Sequence, residues 1–267
     1  MSHRLESDLI IEPGMTFEDV KIPDAMRRVI DTGHPHFNAL FTGSGIRPST
    51  CGLITGGPGV GKTTIALILA NSLAKMGNCV LYNSCEEHMF QLKMNVERMN
   101  LSHLDKIKIG NIYDAKELIE FAKKTKALEP EKDFITFVDS KQTIELTHEG
   151  RGRPMTQANQ SVEALWMFTA FCKETMACMF LIGQVTKDDV FAGKQEEKHA
   201  LDYHMHLSVE KDKDSDMYEE RKATVLKNRF GLTDIPFYYA TKRSGIIWLV
   251  EPPLLEGIDN DGDDEEE

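Results

Sequence analysis

The sequence is short of cysteine, of long apolar runs and of basic charge, and each shortage removes a class of protein. Cys51, Cys79, Cys85, Cys172 and Cys178 are odd in number and never spaced C-x-x-C, so neither a disulfide framework nor a zinc site is expected, and the reducing cytoplasm suits them. No uninterrupted apolar stretch reaches the roughly 18 residues of a membrane span. The opening MSHRLESDLIIEPGM has no basic-then-apolar signal pattern, which argues against export and membrane insertion. Lys and Arg number 31 against 43 Asp and Glu, a net charge of -12, so any nucleic-acid contact must use a local basic surface. Asp259 to Glu267 (DNDGDDEEE) hold seven of the carboxylates, and setting those aside leaves -5 for the rest. No internal repeat is present, and the acidic tail is the single low-complexity segment.

What is there reads as one α/β domain with extensions. The 267 residues are 41% hydrophobic and 28% charged, near the globular average and unlike a disordered or collagen-like chain. Residues 1–35 read as an N-terminal arm, 36–252 as the core and 253–267 as an acidic tail. Within the arm, Phe17, Val20, Ile22, Met26, Val29 and Ile30 suggest a short amphipathic stretch. From Cys51 onward apolar strands alternate with helical patterns: CGLIT, CVLYN, KIKIG, FITFVD and CMFLIG, with helices over about 63–76, 88–99, 114–128 and 157–176. Buried strands alternating with helices predict a doubly wound, mostly parallel sheet. YHMHLSVE, KATVLKN, PFYYATK and GIIWLV follow without intervening helices, which predicts an antiparallel C-terminal extension.

The sharpest signal is GGPGVGKT, Gly56, Gly57, Pro58, Gly59, Val60, Gly61, Lys62 and Thr63, lying between a strand and a buried helix. Glycines permit the positive φ angles that turn backbone N–H groups inward to cradle phosphate at a helix start. In such a loop Lys62 reaches the β and γ phosphates, the Thr63 hydroxyl ligates Mg²⁺ and Thr64 meets the α phosphate, so ATP with Mg²⁺ is the expected cofactor pair. A second carboxylate is needed at a strand end to hold the magnesium, directly or through water, and Asp139, closing FITFVD, fits; an ordinary strand-ending aspartate is the alternative. Glu86 and Glu87 follow CVLYN by two residues and share that sheet edge. Either one orients the attacking water or the pair is an acidic helix start favoured by the dipole.

Several motifs, in order, resemble the bacterial RadA (Sms) branch of the RecA-like ATPases: GGPGVGKTT, VLYNSCEE with QLKMNVERMNL, FVDSKQT, GQVTKDDVFAG with KHALDYHMHL, and LKNRFG. The resemblance covers roughly residues 35–250. LKNRFG is the discriminating piece, since phosphate loops are shared by many nucleotidases, and similar elements occur in hexameric DnaB-type helicases. The resemblance implies a RecA-like fold, with Glu86 as catalytic glutamate, Glu87 second, and Gln184 as a γ-phosphate sensor where RadA proteins usually carry histidine. It also implies that Lys227 and Arg229 reach into a neighbour's ATP site, so that hydrolysis requires assembly. Charge spread over the γ-phosphoryl oxygens makes such a cation worth ~10³ to 10⁵ in turnover. Read alone, Gln184 is a polar strand terminus and Lys227 with Arg229 a solvated strand end.

Two polar segments after strands would form central loops of a ring around single-stranded DNA. The first, 147–160, holds Arg151 and Arg153; the second, 186–199, holds Lys187, Lys194 and Lys198 beside Asp188, Asp189, Glu196 and Glu197. Binding there should be weak per subunit and strongly salt dependent. The cysteine spacing of the family's zinc element and the residues for its protease-like domain are not in this sequence, so the expectation is a motor core alone. His204 and His206 share one face of a strand without a third ligand, which suits a polar strand face better than a metal. Met89, Met94 and Met99 suit core or subunit packing. The acidic tail is a solvated end, a DNA mimic or a docking peptide for a protein partner.

The sequence thus predicts an ATP-dependent, ring-forming motor on single-stranded DNA, a hexamer by resemblance, acting in recombination, repair or replication. Its rivals are a DnaB-type replicative helicase and a KaiC-like regulatory ATPase indifferent to DNA.

Overall fold

The computed structural model describes residues 14–146, 156–185 and 199–252. Nine strands form one sheet in the order β3-β2-β4-β5-β1-β6-β7-β8-β9. They are β1 (Cys51–Gly56), β2 (Cys79–Ser84), β3 (Ile107–Gly110), β4 (Phe134–Asp139), β5 (Cys178–Gln184), β6 (Tyr203–Val209), β7 (Arg221–Asn228), β8 (Pro236–Lys242) and β9 (Gly245–Trp248). The first six run parallel, and β7 to β9 extend the sheet as an antiparallel meander. The fold is therefore mixed α/β with a mostly parallel sheet and an antiparallel C-terminal extension.

The central strands are buried on both faces, which is why they read as continuous apolar runs. Successive side chains still divide between two cores, as the pleat requires. Ile54, Phe137 and Phe180 join α3 (Lys62–Lys75) on one face, while Leu53, Val138 and Leu181 join α5 (Ala115–Ala127) and α6 (Gln157–Thr175) on the other. The low-amphipathicity helix α3 follows from its position: Ile65, Ala66, Leu67, Leu69, Ala70, Leu73 and Ala74 are all buried. Helix α5 is two-faced, and its start is fixed by Asp114, whose carboxylate accepts from the N–H groups of Lys116 and Glu117.

The N-terminal region departs from its pattern. Phe17 is 99% exposed, and among the described residues before Ile30 only α1 (Asp24–Arg27), a single turn, is helical. Pro23 disfavours helix in the residue before it, and Ile30 is drawn away into an antiparallel bridge with Ile46. Helix α2 (Pro35–Phe41) then buries Phe37, Leu40 and Phe41 in the core. All five cysteines are buried and free. Among the described residues no helix is long and apolar enough to cross a membrane.

Candidate functional site

The site lies at the carboxyl ends of β1, β2, β4 and β5, where an open parallel sheet offers a crevice. The loop from β1 into α3 uses its glycines for different reasons. Gly59 and Gly61 have φ of 75° and 104°, the left-handed region, and a Cβ on Gly57 or Gly59 would meet nothing within 4 Å, so their open side is free for a ligand. Gly56 is required by close approach instead: a Cβ there would stand 2.5 Å from the Leu207 carbonyl oxygen. The first ladder bond of α3 runs from the Ile65 N–H to the Gly61 carbonyl (2.9 Å). The N–H groups of Lys62, Thr63 and Thr64 precede it and, as at any helix start, have no carbonyl behind them.

Lys62 folds over this loop, its Nζ donating to the carbonyls of Gly56 and Gly57, both at 2.9 Å. Burial lowers its affinity for a proton, while Glu86 and Asp139 oppose that shift. Asp139 is only 2% exposed. Its Oδ2 accepts from the Thr63 hydroxyl at 2.8 Å and from the Tyr82 hydroxyl at 3.1 Å. Burial nevertheless holds the carboxyl above the usual range, with the two hydrogen bonds pulling it down and Glu86 and Glu87 pushing it up. Burial, and Asp139 beside it, raises the Tyr82 phenol well above its ordinary value, so Tyr82 serves as a donor. A hydroxyl and a buried carboxylate converging beside a phosphate-type loop are the hard oxygen set that magnesium prefers. The residues present therefore fit a magnesium nucleotide: Thr63 and Asp139 toward the metal, Lys62 and the loop amides toward phosphate.

The register Ser84↔Asp139 brings the end of β2 beside β4. The N–H groups of Cys85 and Glu86 both bond the Asp139 carbonyl, at 2.6 and 3.2 Å. That tie sets Glu86, exposed, over the crevice. Gln184, at the exposed end of β5, donates its amide to Glu86 Oε1 at 3.0 Å. Glu87 is turned toward α4 (Met89–Arg98), where the Asn95 amide donates to its Oε2 at 3.2 Å. The structure thus separates the two carboxylates by role: Glu86 faces Gln184, and Glu87 braces a helix.

Lys227 and Arg229 lie elsewhere. Strand β1 pairs β6 as Gly52↔Tyr203 and Gly56↔Leu207, and β6 pairs β7 as Tyr203↔Asn228 and His204↔Lys227. Asn228 is therefore level with Gly52, four residues or roughly 13 Å below the phosphate loop along the strand direction. Arg229, just past β7, belongs to the opposite edge of the sheet. Its Nε lies 3.3 Å from Asp202 Oδ1. Burial lowers the Lys227 pKa, helped by Arg229 and opposed by Asp202.

Four contributors carry no motif of their own in the sequence. Tyr82 was hidden inside an apolar strand, and Asp202 inside KHALDYHMHL. Thr55 is buried with its hydroxyl 2.7 Å from His204 Nε2 and 3.0 Å from His206 Nδ1, so the histidine face has a partner on β1. The Tyr239 hydroxyl donates to the Val60 carbonyl within the loop (2.8 Å). No group of three or more metal-ligating His, Cys, Asp or Glu side chains occurs among the described residues. Met99 is buried and Met94 is 68% exposed, so the methionines divide between core and surface. Arg151, Arg153, Lys187, Lys194 and Lys198 lie outside the described residues, as does the acidic tail.

Comparison with known proteins agrees with this geometry. The family described as "ATPase: KaiC" is matched over residues 30–143. The DNA repair protein RadA of Mycobacterium tuberculosis is 30% identical over 248 residues, 92% of this chain and 48% of that protein. RadA of Aquifex aeolicus is 30% identical over 217 residues, 80% of this chain and 45% of that protein. The chain spans about half the length of the curated relatives it matches. Among solved structures, an isolated ATPase domain superposes with a TM-score of 0.69 at 14% identity, covering 84% of this chain and 92% of that one. A KaiC-like protein of Pyrococcus horikoshii superposes at 0.66 and 18% identity, covering 83% of this chain and 98% of that one. The phosphate loop, the sheet and these likenesses agree: residues 30–143 are similar to the KaiC ATPase family, and the chain has a RecA-like ATPase fold.

Proposed function

We propose that this chain is an ATP- and magnesium-dependent motor on single-stranded DNA whose catalytic sites are completed between neighbouring copies in a ring. One observation carries the reading: Lys227 and Arg229 sit on the sheet edge opposite their own phosphate loop, so they cannot meet a nucleotide bound to the same protomer. In a head-to-tail ring each copy presents that edge to the next. Leu226, Phe230 and Leu232, which flank the two cations, are 48%, 41% and 57% exposed, the kind of apolar surface an interface covers.

Within each site Glu86 polarises the attacking water and Gln184 holds the Glu86 carboxylate in place. Lys62 and the loop amides neutralise phosphate charge, and a magnesium ion held by Thr63 and Asp139 would supply Lewis-acid stabilisation of the same charge. The neighbour's Arg229 and Lys227 meet the charge that spreads in the transition state. Gln184 stands two residues before the segment holding Lys187, Lys194 and Lys198, so a strand of DNA engaged there is one strand end away from Glu86. The relatives named DNA repair protein RadA favour DNA repair as the setting, and branch migration is the task proposed for the motor.

The reading is tested by ATP turnover per protomer at rising protein concentration, with and without a single-stranded oligonucleotide. Turnover per protomer should climb with concentration and again with DNA. A constant rate from a species that remains a lone protomer with ATP, magnesium and oligonucleotide would overturn it. The KaiC match over residues 30–143 favours a second reading, a regulatory ATPase, and concentration-dependent turnover that ignores DNA would select it.

A further inference from the structure

We infer that Asp202 is a positioning residue that mounts Arg229 for its work in the neighbouring site; this rests on the inter-subunit reading above. Asp202 is 3% exposed and is anchored to the first residue of β1 in two ways. Its N–H donates to the Cys51 carbonyl (2.9 Å), and its Oδ2 accepts from the Cys51 N–H (3.1 Å). The other carboxylate oxygen, Oδ1, lies 3.3 Å from Arg229 Nε. Arg229 is held twice more, its N–H donating to the Asp202 carbonyl (3.1 Å) and its Nη2 to the His199 carbonyl (3.1 Å).

A guanidinium is planar and carries five N–H donors in a fixed fork. Here Nη2 donates inside the chain, and Nε on the same edge stands in ion-pair contact with the Asp202 carboxylate. Among the described residues Nη1 has no assigned partner, and the side chain is 46% exposed. Such a mount leaves one end of the fork for an incoming phosphate and removes most of the rotamers an exposed arginine would otherwise sample. The carboxylate cannot itself meet a substrate, because it is buried and both its oxygens are engaged. It also has reason to keep Arg229 in place, since a buried carboxylate stripped of its cation is costly.

The test is a double-mutant cycle on turnover with the assembled protein. Asp202→Asn keeps an oxygen for the Cys51 N–H and removes the charge that holds Nε. It should lower kcat about 10- to 100-fold, as loss of a supporting shell does, with KM for ATP unchanged. Arg229→Ala should be slower still, and the double variant no slower than Arg229→Ala alone, because both remove one function. Normal turnover in Asp202→Asn beside a slow Arg229→Ala overturns the positioning role and leaves the inter-subunit reading standing. So does a double variant whose losses multiply, which would make Asp202 a strut of the sheet. Normal turnover in Arg229→Ala itself overturns the inter-subunit reading. Should Asp202→Asn fail to fold, the native protein answers through guanidinium N–H exchange of its arginines in the nucleotide-free state. One signal, absent from Arg229→Ala, should exchange at least ~10-fold more slowly than exposed arginines; its absence refutes the mount.

Discussion

The two ends of strand β1 are built to opposite specifications. At Gly56 the chain collects carboxylates, hydroxyls and open amides, with Asp139 held above its usual range by burial and Lys62 folded onto the loop carbonyls. At Cys51 the chain collects no such receptacle. It buries one carboxylate, Asp202, and uses it to hold a cation outward. One end requires positive charge and the other presents it, along the same strand and too far apart to meet within a protomer. On the inter-subunit reading proposed above, the difference teaches that each end supplies half of a site, with the sheet as the spacer between them.

The strongest way to break this comparison is to damage one end at a time and then mix. Lys62→Ala removes the phosphate-contacting amine, and Arg229→Ala removes the presented cation; each alone should lower turnover ~10³-fold or more. In an equimolar mixture, a protomer with an intact loop meets an intact Arg229 at about one site in four, so roughly a quarter of wild-type turnover should return. No recovery in mixtures that exchange subunits would show that the two ends never face each other.

Glu86→Gln is expected to cost ~10² to 10⁴ in turnover, the usual worth of a positioned base, while nucleotide binding survives. Gln184→Ala should fall well short of that, since the amide only steadies the carboxylate. Equal losses would assign Gln184 a direct part in the chemistry. Single-turnover hydrolysis alongside nucleotide titration separates the two cases.

Much of the Gly56 end was legible in the sequence, because phosphate loops and strand-ending carboxylates are local patterns. GGPGVGKT and FITFVD each carry their meaning within eight residues. What stayed hidden depends on which strands become neighbours. The hydrogen bond from Gln184 to Glu86 joins residues 98 apart, and it exists because β2 and β5 flank β4 in the sheet order. Thr55 meets His204 and His206 for the same reason, as β6 lies beside β1. Asp202 gave no sign in the sequence that it anchors to Cys51, a contact spanning 151 positions. The arm differs in the other direction: apolar spacing from Phe17 to Ile30 suggests a short amphipathic stretch, but Pro23 and the Ile30–Ile46 bridge leave a single helical turn.

Asp139→Asn sharpens the comparison through stability rather than rate. The buried carboxylate is raised above its ordinary value chiefly by desolvation, so in the ligand-free protein its ionised form costs folding free energy. The amide carries no charge and still accepts from Thr63 and Tyr82. Magnesium-dependent turnover should be lost, while the thermal midpoint of the ligand-free protein rises by ~2–4 °C, an increment of about 1 kcal/mol for a domain of this size. A lower midpoint in calorimetry would mean that the carboxylate is adequately neutralised by its own chain.

The smallest effect compares two tyrosines that make the same bond at opposite ends. Tyr239 donates from β8 to the Val60 carbonyl in the phosphate loop (2.8 Å), and Tyr203 donates from β6 to the Leu40 carbonyl (3.1 Å); both are buried. Removing either hydroxyl leaves a buried carbonyl without that donor, which costs about 1–3 kcal/mol. Tyr239→Phe and Tyr203→Phe should therefore lower the melting temperature by similar amounts. Only Tyr239→Phe should also weaken ATP binding, by a few-fold, because only it frees the loop that cradles phosphate; the antiparallel extension thereby acts on the site from outside the parallel sheet. Equal losses of ATP affinity in the two variants would mean that the nucleotide senses general stability and not the local brace on Val60.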